Sequence, residues 1–294
     1  MKKDGLSIII ITLNRCDELK KTLYLLKEQV TNFDWEVVIC DQNSNDGTEK
    51  IVKKIAEDVK PYVLNYLKLD KNYGVAGGRN IAIKNAKYNN ILSLDDDANP
   101  IDNYTLQKVF DTVHIRSQYN AFAFRILNNQ DENYGWQYNK KHNVNDVFEC
   151  NYYVGCAHLI KKDIFEKCSG YDDDLMFWGE EICYIMKMFC LGYGPVLYDG
   201  TVVFRHRVDG FGRGLNEDRF YFQVRNRLHL IDKYYPSTKR VYYKFKYRVV
   251  YMIKAIKYGW MRTYFIALRD VNGFDCDTAI RFKKQTIRHY LKFK

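Results

Sequence analysis

Three consecutive carboxylates, Asp95, Asp96 and Asp97, follow the apolar run Asn90 to Leu94. Adjacent acids repel one another, so a strand end carrying three of them is costly unless a cation or strong donors compensate. In an extended chain Asp95 and Asp97 point to one side and can share a ligand, while Asp96 points the other way and anchors the loop. Oxygen donors suit Mg2+ or Mn2+, and such an ion neutralises a diphosphate placed above it. Taken alone, the triplet fits a solvated turn with a helix cap equally well.

Other groups have the same double character. Asp41 directly follows Val37-Val38-Ile39-Cys40, so its carboxylate faces the crevice beyond a strand and can accept hydrogen bonds from a base or ribose. The residues after it, Gln42 to Gly47, also make ordinary loops. The turn from Asn72 to Asn80 brings Gly74, Gly77, Gly78 and Arg79 to a helix start, where bare backbone and the positive end of the dipole favour anions. Glu180-Glu181 open a helical segment, a place where acids also simply complement the dipole. His206 ends the run Val202-Val203-Phe204, and a lone histidine is more often structural than a ligand.

A scaffold must gather these groups. Leu6 to Ile11 is a continuous β-branched run of the kind found in strands covered on both faces, and Leu19, Leu23, Leu26 and Val30 then recur at helical spacing. The pattern repeats: strand Glu36 to Cys40, helix Thr48 to Asp58, strand Tyr62 to Leu69, helix Ala76 to Ala86, strand Asn90 to Leu94. Parallel neighbours need crossovers long enough to carry a helix, so this order predicts a doubly wound sheet with ligands beyond the carboxyl ends of its strands. The clusters at Asn14-Arg15, 41–46, 72–80 and 95–97 all fall at such ends. Further on, helices are predicted at 104–117, 162–168, 180–191, 218–235, 241–268 and 278–291, and strands at 121–126, 153–160, 196–198 and 202–204.

Composition narrows the class. The 294 residues are 47% apolar with 4 prolines, which predicts one continuous body without flexible linkers. The 8 cysteines form no Cys-x-x-Cys pair and read as buried thiols of a reducing cytoplasm. The N-terminal apolar run is too short for a signal peptide, and no stretch is long enough for a spanning helix. Of the net charge of +10, residues 236–294 carry 15 Lys/Arg against 3 Asp/Glu, a balance of +12.

The ordered set Thr12-x-Asn14-Arg15, Asp41-x-Asn43-Ser44-x-Asp46-Gly47, Asn72-x-Gly74-x-x-Gly77-Gly78-Arg79-Asn80 and Leu94-Asp95-Asp96-Asp97 resembles the donor half of family 2 inverting glycosyltransferases. The resemblance continues through Tyr153 to Ile160, Gly170-Tyr171-Asp172 and Phe177-Trp178-Gly179-Glu180-Glu181, and runs to about Pro236. Tyr221 to Arg227 is similar to the aromatic-Arg-Asn-Arg helix of rhamnosyltransferase-like members. It implies a GT-A fold over 1–235, with a nucleotide-binding half (1–100), an acceptor half (101–235) and a helical basic, aromatic extension (236–294). It further implies a donor site of Thr12, Asn14, Arg15, Asp41, Ser44, Asn72, Gly74, Gly78, Arg79, Asn80, Asp95 and Asp96. Asp41 would hold the base, and Asp95, Asp97 and His206 would hold Mn2+ or Mg2+, with Arg205 and Arg207 near phosphate. On the acceptor side it implies Trp178 and Gly179, with Glu181 as the base and Glu180 as its partner. Two positions depart from the family pattern: the base is Glu where Asp is usual, and Cys183 stands where a further Asp is frequent.

The implied reaction moves a sugar from a UDP- or dTDP-sugar to an acceptor hydroxyl with inversion, on a lipid-linked or cell-surface glycan precursor. The alternatives are a soluble acceptor, a catalytically dead binding module, or a sugar-nucleotide nucleotidyltransferase. The last wants a Gly-rich loop with Arg and Lys after the first strand, where this chain has Thr12-Leu13-Asn14-Arg15. The 13 aromatic residues interleaved with cations in 239–294 suit an anionic membrane surface, implying a cytoplasmic protein at the inner face of the membrane. Such helices also dock on their own core or on a second subunit. No nucleic-acid module is recognisable. Donor and acceptor specificity is expected in the variable stretch Asn128 to Glu149.

Overall fold

The structure is a computed structural model that describes residues 4–58, 63–134, 142–208, 215–271 and 280–293. Four parallel strands form one half of a nine-stranded sheet: β1 (Leu6–Thr12), β2 (Trp35–Asp41), β3 (Val63–Lys68) and β4 (Asn90–Asp95), in the order β3-β2-β1-β4. Their crossovers are α1 (Cys16–Lys27), α2 (Thr48–Asp58) and α3 (Gly74–Asn85). Alternate residues of β1 enter different cores. Leu6, Ile8 and Ile10 join Leu19, Leu23, Leu26 and Val52, whereas Ile9 joins Ala82 and Ile83. This two-sided coverage is why the strand reads as a continuous apolar run. Leu19, Leu23 and Leu26 are fully buried, each contributing on the order of 2 kcal/mol.

The other half of the sheet is mixed. It contains β5 (Ala98–Pro100), β6 (Ala121–Leu127), β7 (Val147–Cys150), β8 (Ala157–Lys161) and β9 (Val196–His206), and continues the order as β4-β8-β6-β9-β5, with β7 on β9. Helices α4 (Thr105–Ile115), α5 (Lys162–Lys167) and α6 (Glu180–Leu191) cover it. The sequence predicts two short strands at 196–198 and 202–204. They are one strand, because β9 bulges between Asp199 and Val203 against β6 instead of breaking. The strand predicted from Tyr153 starts only at Ala157, since 153–156 pass as a loop beneath α6.

Four helices end the chain: α7 (Glu217–Tyr234), α8 (Ser237–Tyr258), α9 (Met261–Asp270) and α10 (Lys284–Lys292). The single helix predicted over 241–268 is two, because Gly259 takes a left-handed φ of +76° and closes α8. The helix predicted over 278–291 begins at Lys284; its first two residues and Cys276 lie outside the described residues. Helices α8 and α9 pack on α7 through Phe220, Val224, Tyr251 and Tyr264. By contrast α10 joins the main core through Ile287 and Tyr290, and Phe282 N donates to Tyr234 O (3.0 Å). No helix among the described residues is long and apolar enough to cross a membrane. The seven described cysteines are free thiols, and Cys40, Cys150, Cys156, Cys168 and Cys183 are buried.

Candidate active site

The carboxyl ends of β1, β2 and β4 meet the start of α6 and the end of β9 around an open cleft of about 820 Å³. Asp95 ends β4, and the turn after it curls Asp97 inward until it is 1% exposed. Single ligand atoms of Asp95, Asp97 and His206 lie within 4.8 Å of one another. His206 Nε2 is 3.1 Å from Asp97 Oδ1, and its Nδ1 is 2.7 Å from the Tyr134 hydroxyl. Arg15, at the start of α1, reaches Asp96 through Nε (2.9 Å) and Asp97 through Nη2 (2.5 Å).

Asp96 is 5% exposed, accepts from Thr12 Oγ1 (2.8 Å) and forms an ion pair with Arg15. Burial pushes its pKa up to about 7, against the pull of Arg15. Burial would also raise Asp97, but His206 and Arg15 outweigh it and lower that pKa. Burial disfavours a charged His206, yet Cys156 and Asp97 beside it raise its pKa.

A second cluster lies across the cleft. Arg79, in α3 and 2% exposed, donates through Nη1 to Glu180 Oε1 (3.2 Å) and Glu181 Oε1 (3.3 Å), and through Nη2 to Asp95 Oδ1 (3.1 Å) and Gly155 O (2.9 Å). One guanidinium therefore ties the triplet to the acidic pair. Gly179 (φ +98°) caps α6 and starts it at the cleft floor; Glu180 is buried, and the Glu181 side chain keeps 20% exposure. Gly155 is missing from the sequence-predicted site, yet a Cβ there would lie 2.0 Å from Glu181 Oε1.

The remaining predicted donor residues hold the loops around the cleft. Asp41 is fully buried at the end of β2 and accepts from Ser44 N (2.8 Å) and the Tyr66 hydroxyl (2.5 Å); nothing in the sequence signals Tyr66, which sits one strand over on β3. Asn14 (φ +52°) and Ser44 lock the two loops together, Asn14 N donating to Ser44 Oγ and Asn45 N to Asn14 Oδ1. Asn72 accepts from Gly74 N, while Gly74 (φ +75°) lets the backbone approach Met176 so closely that a Cβ would sit 2.5 Å from its carbonyl. Gly78 packs on Gln42, and Asn80 clamps Tyr171 and Asp173. Of the two arginines expected near phosphate, Arg205 pairs with Asp131, and Arg207 with Glu18, Asn99 and the Asp96 carbonyl. Trp178 lies under Arg227 (5.0 Å from its ring centre), and Asn226 Nδ2 reaches the Trp178 carbonyl (2.6 Å).

Residues 7–169 match the family model for Glycosyl transferase family 2. The chain belongs to glycosyl transferase family 2. Chondroitin synthase of Escherichia coli is 28% identical over 216 residues, covering 60% of this chain and 31% of that protein. The E. coli UDP-Glc:alpha-D-GlcNAc-diphosphoundecaprenol beta-1,3-glucosyltransferase WfaP is 32% identical over 118 residues, 40% of this chain and 43% of that one. The chain thus spans less than half of either relative. The mannosyltransferase PcManGT of Pyrobaculum calidifontis, solved with GDP-Man and Mn2+, superposes over 98% of this chain and 78% of its own with a TM-score of 0.62 at 16% identity. That likeness confirms the GT-A fold.

The cluster of this glycosyltransferase fits a divalent cation. Asp95 and Asp97 offer oxygens and His206 a nitrogen within one coordination sphere, and Tyr134 holds the far side of the imidazole as an outer partner. Burial, then the charge of Glu181, drives the Glu180 pKa well above its ordinary 4.5, with Arg79 opposing. An acid whose pKa is raised in the folded state binds protons that the unfolded chain has lost. Stability therefore falls as pH rises above the ordinary carboxylate range. Glu180→Gln removes that contribution, so its melting temperature relative to wild type is expected to increase as pH rises above the ordinary carboxylate range in thermal melts; a constant difference would contradict it.

Proposed function

We propose that this glycosyltransferase moves a sugar from a UDP- or dTDP-sugar to an acceptor hydroxyl with inversion, as in the rhamnosyltransferase-like branch, on a lipid-linked or cell-surface glycan precursor. The observation that carries the reading is Arg79, which joins Asp95 at the donor end of one cleft to Glu181 at the other. Glu181 takes the proton of the acceptor hydroxyl while that oxygen attacks the anomeric carbon, and the bond to the diphosphate breaks on the opposite face. Arg79 and Gly155 fix the glutamate, and buried Glu180 shares the same guanidinium beside it. Asp95, Asp97 and His206 would hold Mn2+ or Mg2+, which neutralises the departing diphosphate.

Residues 1–235 carry the donor and catalytic side chains in this reading, α10 of the extension 236–294 completes the cleft, and α8 of that extension meets an anionic membrane. Val241, Phe245 and Ile256 are 71%, 71% and 64% exposed on α8, among Lys246, Arg248 and Lys257, which supports such a surface. A lipid-linked acceptor agrees with the diphosphoundecaprenol substrate in the name of WfaP. Calorimetry with UDP, dTDP and GDP, with and without MnCl2, tests the donor half. Metal-dependent binding of UDP or dTDP is expected, and its absence for every nucleotide would end the proposal.

A further inference from the structure

The acidic groups of the cleft are matched by cations: Asp96 and Asp97 by Arg15, Asp95, Glu180 and Glu181 by Arg79. Arg227 on α7 lines the same cleft without such a match. No carboxylate among the described residues pairs with it, and its Nε is buried without a hydrogen-bond partner. Its surroundings are rings. The guanidinium lies 5.0 Å from the Trp178 ring centre and 5.2 Å from that of Tyr247, with Tyr251 and Tyr290 also facing it. The Tyr251 hydroxyl and the rings hold the group in place, but no carboxylate among the described residues offsets its charge. For packing alone, an apolar side chain of similar length would serve at lower cost.

Its position says what would compensate it. Trp178 stands three residues before Glu181, so the guanidinium borders the side of the cleft from which the acceptor hydroxyl must arrive. Tyr290 from α10 and Asn151 close this end, and Asn151 Nδ2 donates to the Tyr290 carbonyl (2.8 Å). A planar fork held between rings matches the paired oxygens of a carboxylate or phosphate. We propose that Arg227 forms an acceptor subsite for an oxyanion, a phosphate or carboxylate carried by the acceptor near the hydroxyl that reacts. The proposal rests on the transferase reading above.

The test uses the full chain saturated with Mn2+ and UDP, titrated with glucose 1-phosphate, glucuronic acid and methyl glucoside. Wild type is expected to bind at least one of the two anionic probes on the order of 10- to 100-fold more tightly than the neutral one, as for a hydrogen bond to a charged group. Whichever anion gains identifies the oxyanion. Arg227→Met and Arg227→Gln are expected to erase the preference while UDP affinity stays, and Arg227→Lys to restore part of it. Either neutral variant that still binds UDP decides the matter. Equal binding of all three probes by wild type, or a preference that survives in Arg227→Met or Arg227→Gln, overturns the subsite. Loss of UDP binding in wild type would instead count against the donor reading.

Discussion

Asp97→Asn is expected to lower Mn2+-dependent nucleotide affinity by at least about 100-fold while metal-independent binding stays near its wild-type level. Asp97 is the deepest member of the candidate metal cluster, and its carboxylate also lies between Arg15 and His206. The asparagine keeps the shape and removes the charge, so it separates the role toward metal from the role in the fold. Asp97→Ala should do more damage. It leaves His206 and the partly exposed Arg15 without their common counter-charge, Arg15 keeping Asp96, a loss that a thermal melt would register as a clear drop in midpoint. Calorimetry of Asp97→Asn with UDP and MnCl2 decides the point; affinity equal to wild type would remove Asp97 from the donor site.

Glu181→Gln is expected to reduce turnover by about 10²- to 10⁴-fold with donor affinity unchanged, the range for a lost general base. The amide retains the hydrogen bond from Arg79 Nη1 but cannot take a proton. A companion variant probes geometry at constant chemistry. Gly155→Ala places a methyl group 2.0 Å from the present position of Glu181 Oε1, so the carboxylate must move, and a displacement of about 1 Å costs about 100-fold in rate. Sugar-transfer rates alongside UDP dissociation constants separate these outcomes. Wild-type turnover in Glu181→Gln would exclude it as the base.

The donor half is legible from local signals. Strands β1, β2 and β4 are buried on both faces and so read as apolar runs, the edge strand β3 is only half-buried, their helices carry one apolar stripe, and their ends collect the polar residues. What the sequence hides is set by partners far along the chain. The three residues of β5 and four of β7 exist as strands only because β9 lies beside them. Tyr66 reaches Asp41 across neighbouring strands, Tyr134 reaches His206 over 72 positions, and neither has a motif. Asp97 is buried because the turn after β4 folds back, and no spacing rule predicts that depth. Arg205 and Arg207 have partners the sequence does not signal, Asp131 for the one and Glu18 with the Asp96 carbonyl for the other. Part of the stretch 128–149, where specificity is expected, covers residues 135–141 outside the described structure.

Helix α10 ties the tail to the cleft. Its Tyr290 forms a wall of the cleft, while α8, some forty residues earlier, keeps the exposed surface proposed above to meet a membrane. Removing everything after Tyr235 to obtain a better-behaved protein would therefore strip a wall from the reaction chamber. The donor end, built from the first hundred residues and His206, would remain in place while bulk water entered from the other side. Such a fragment is expected to waste its donor by hydrolysis in place of glycosylating, so boundaries drawn for solubility alone would change the chemistry being assayed.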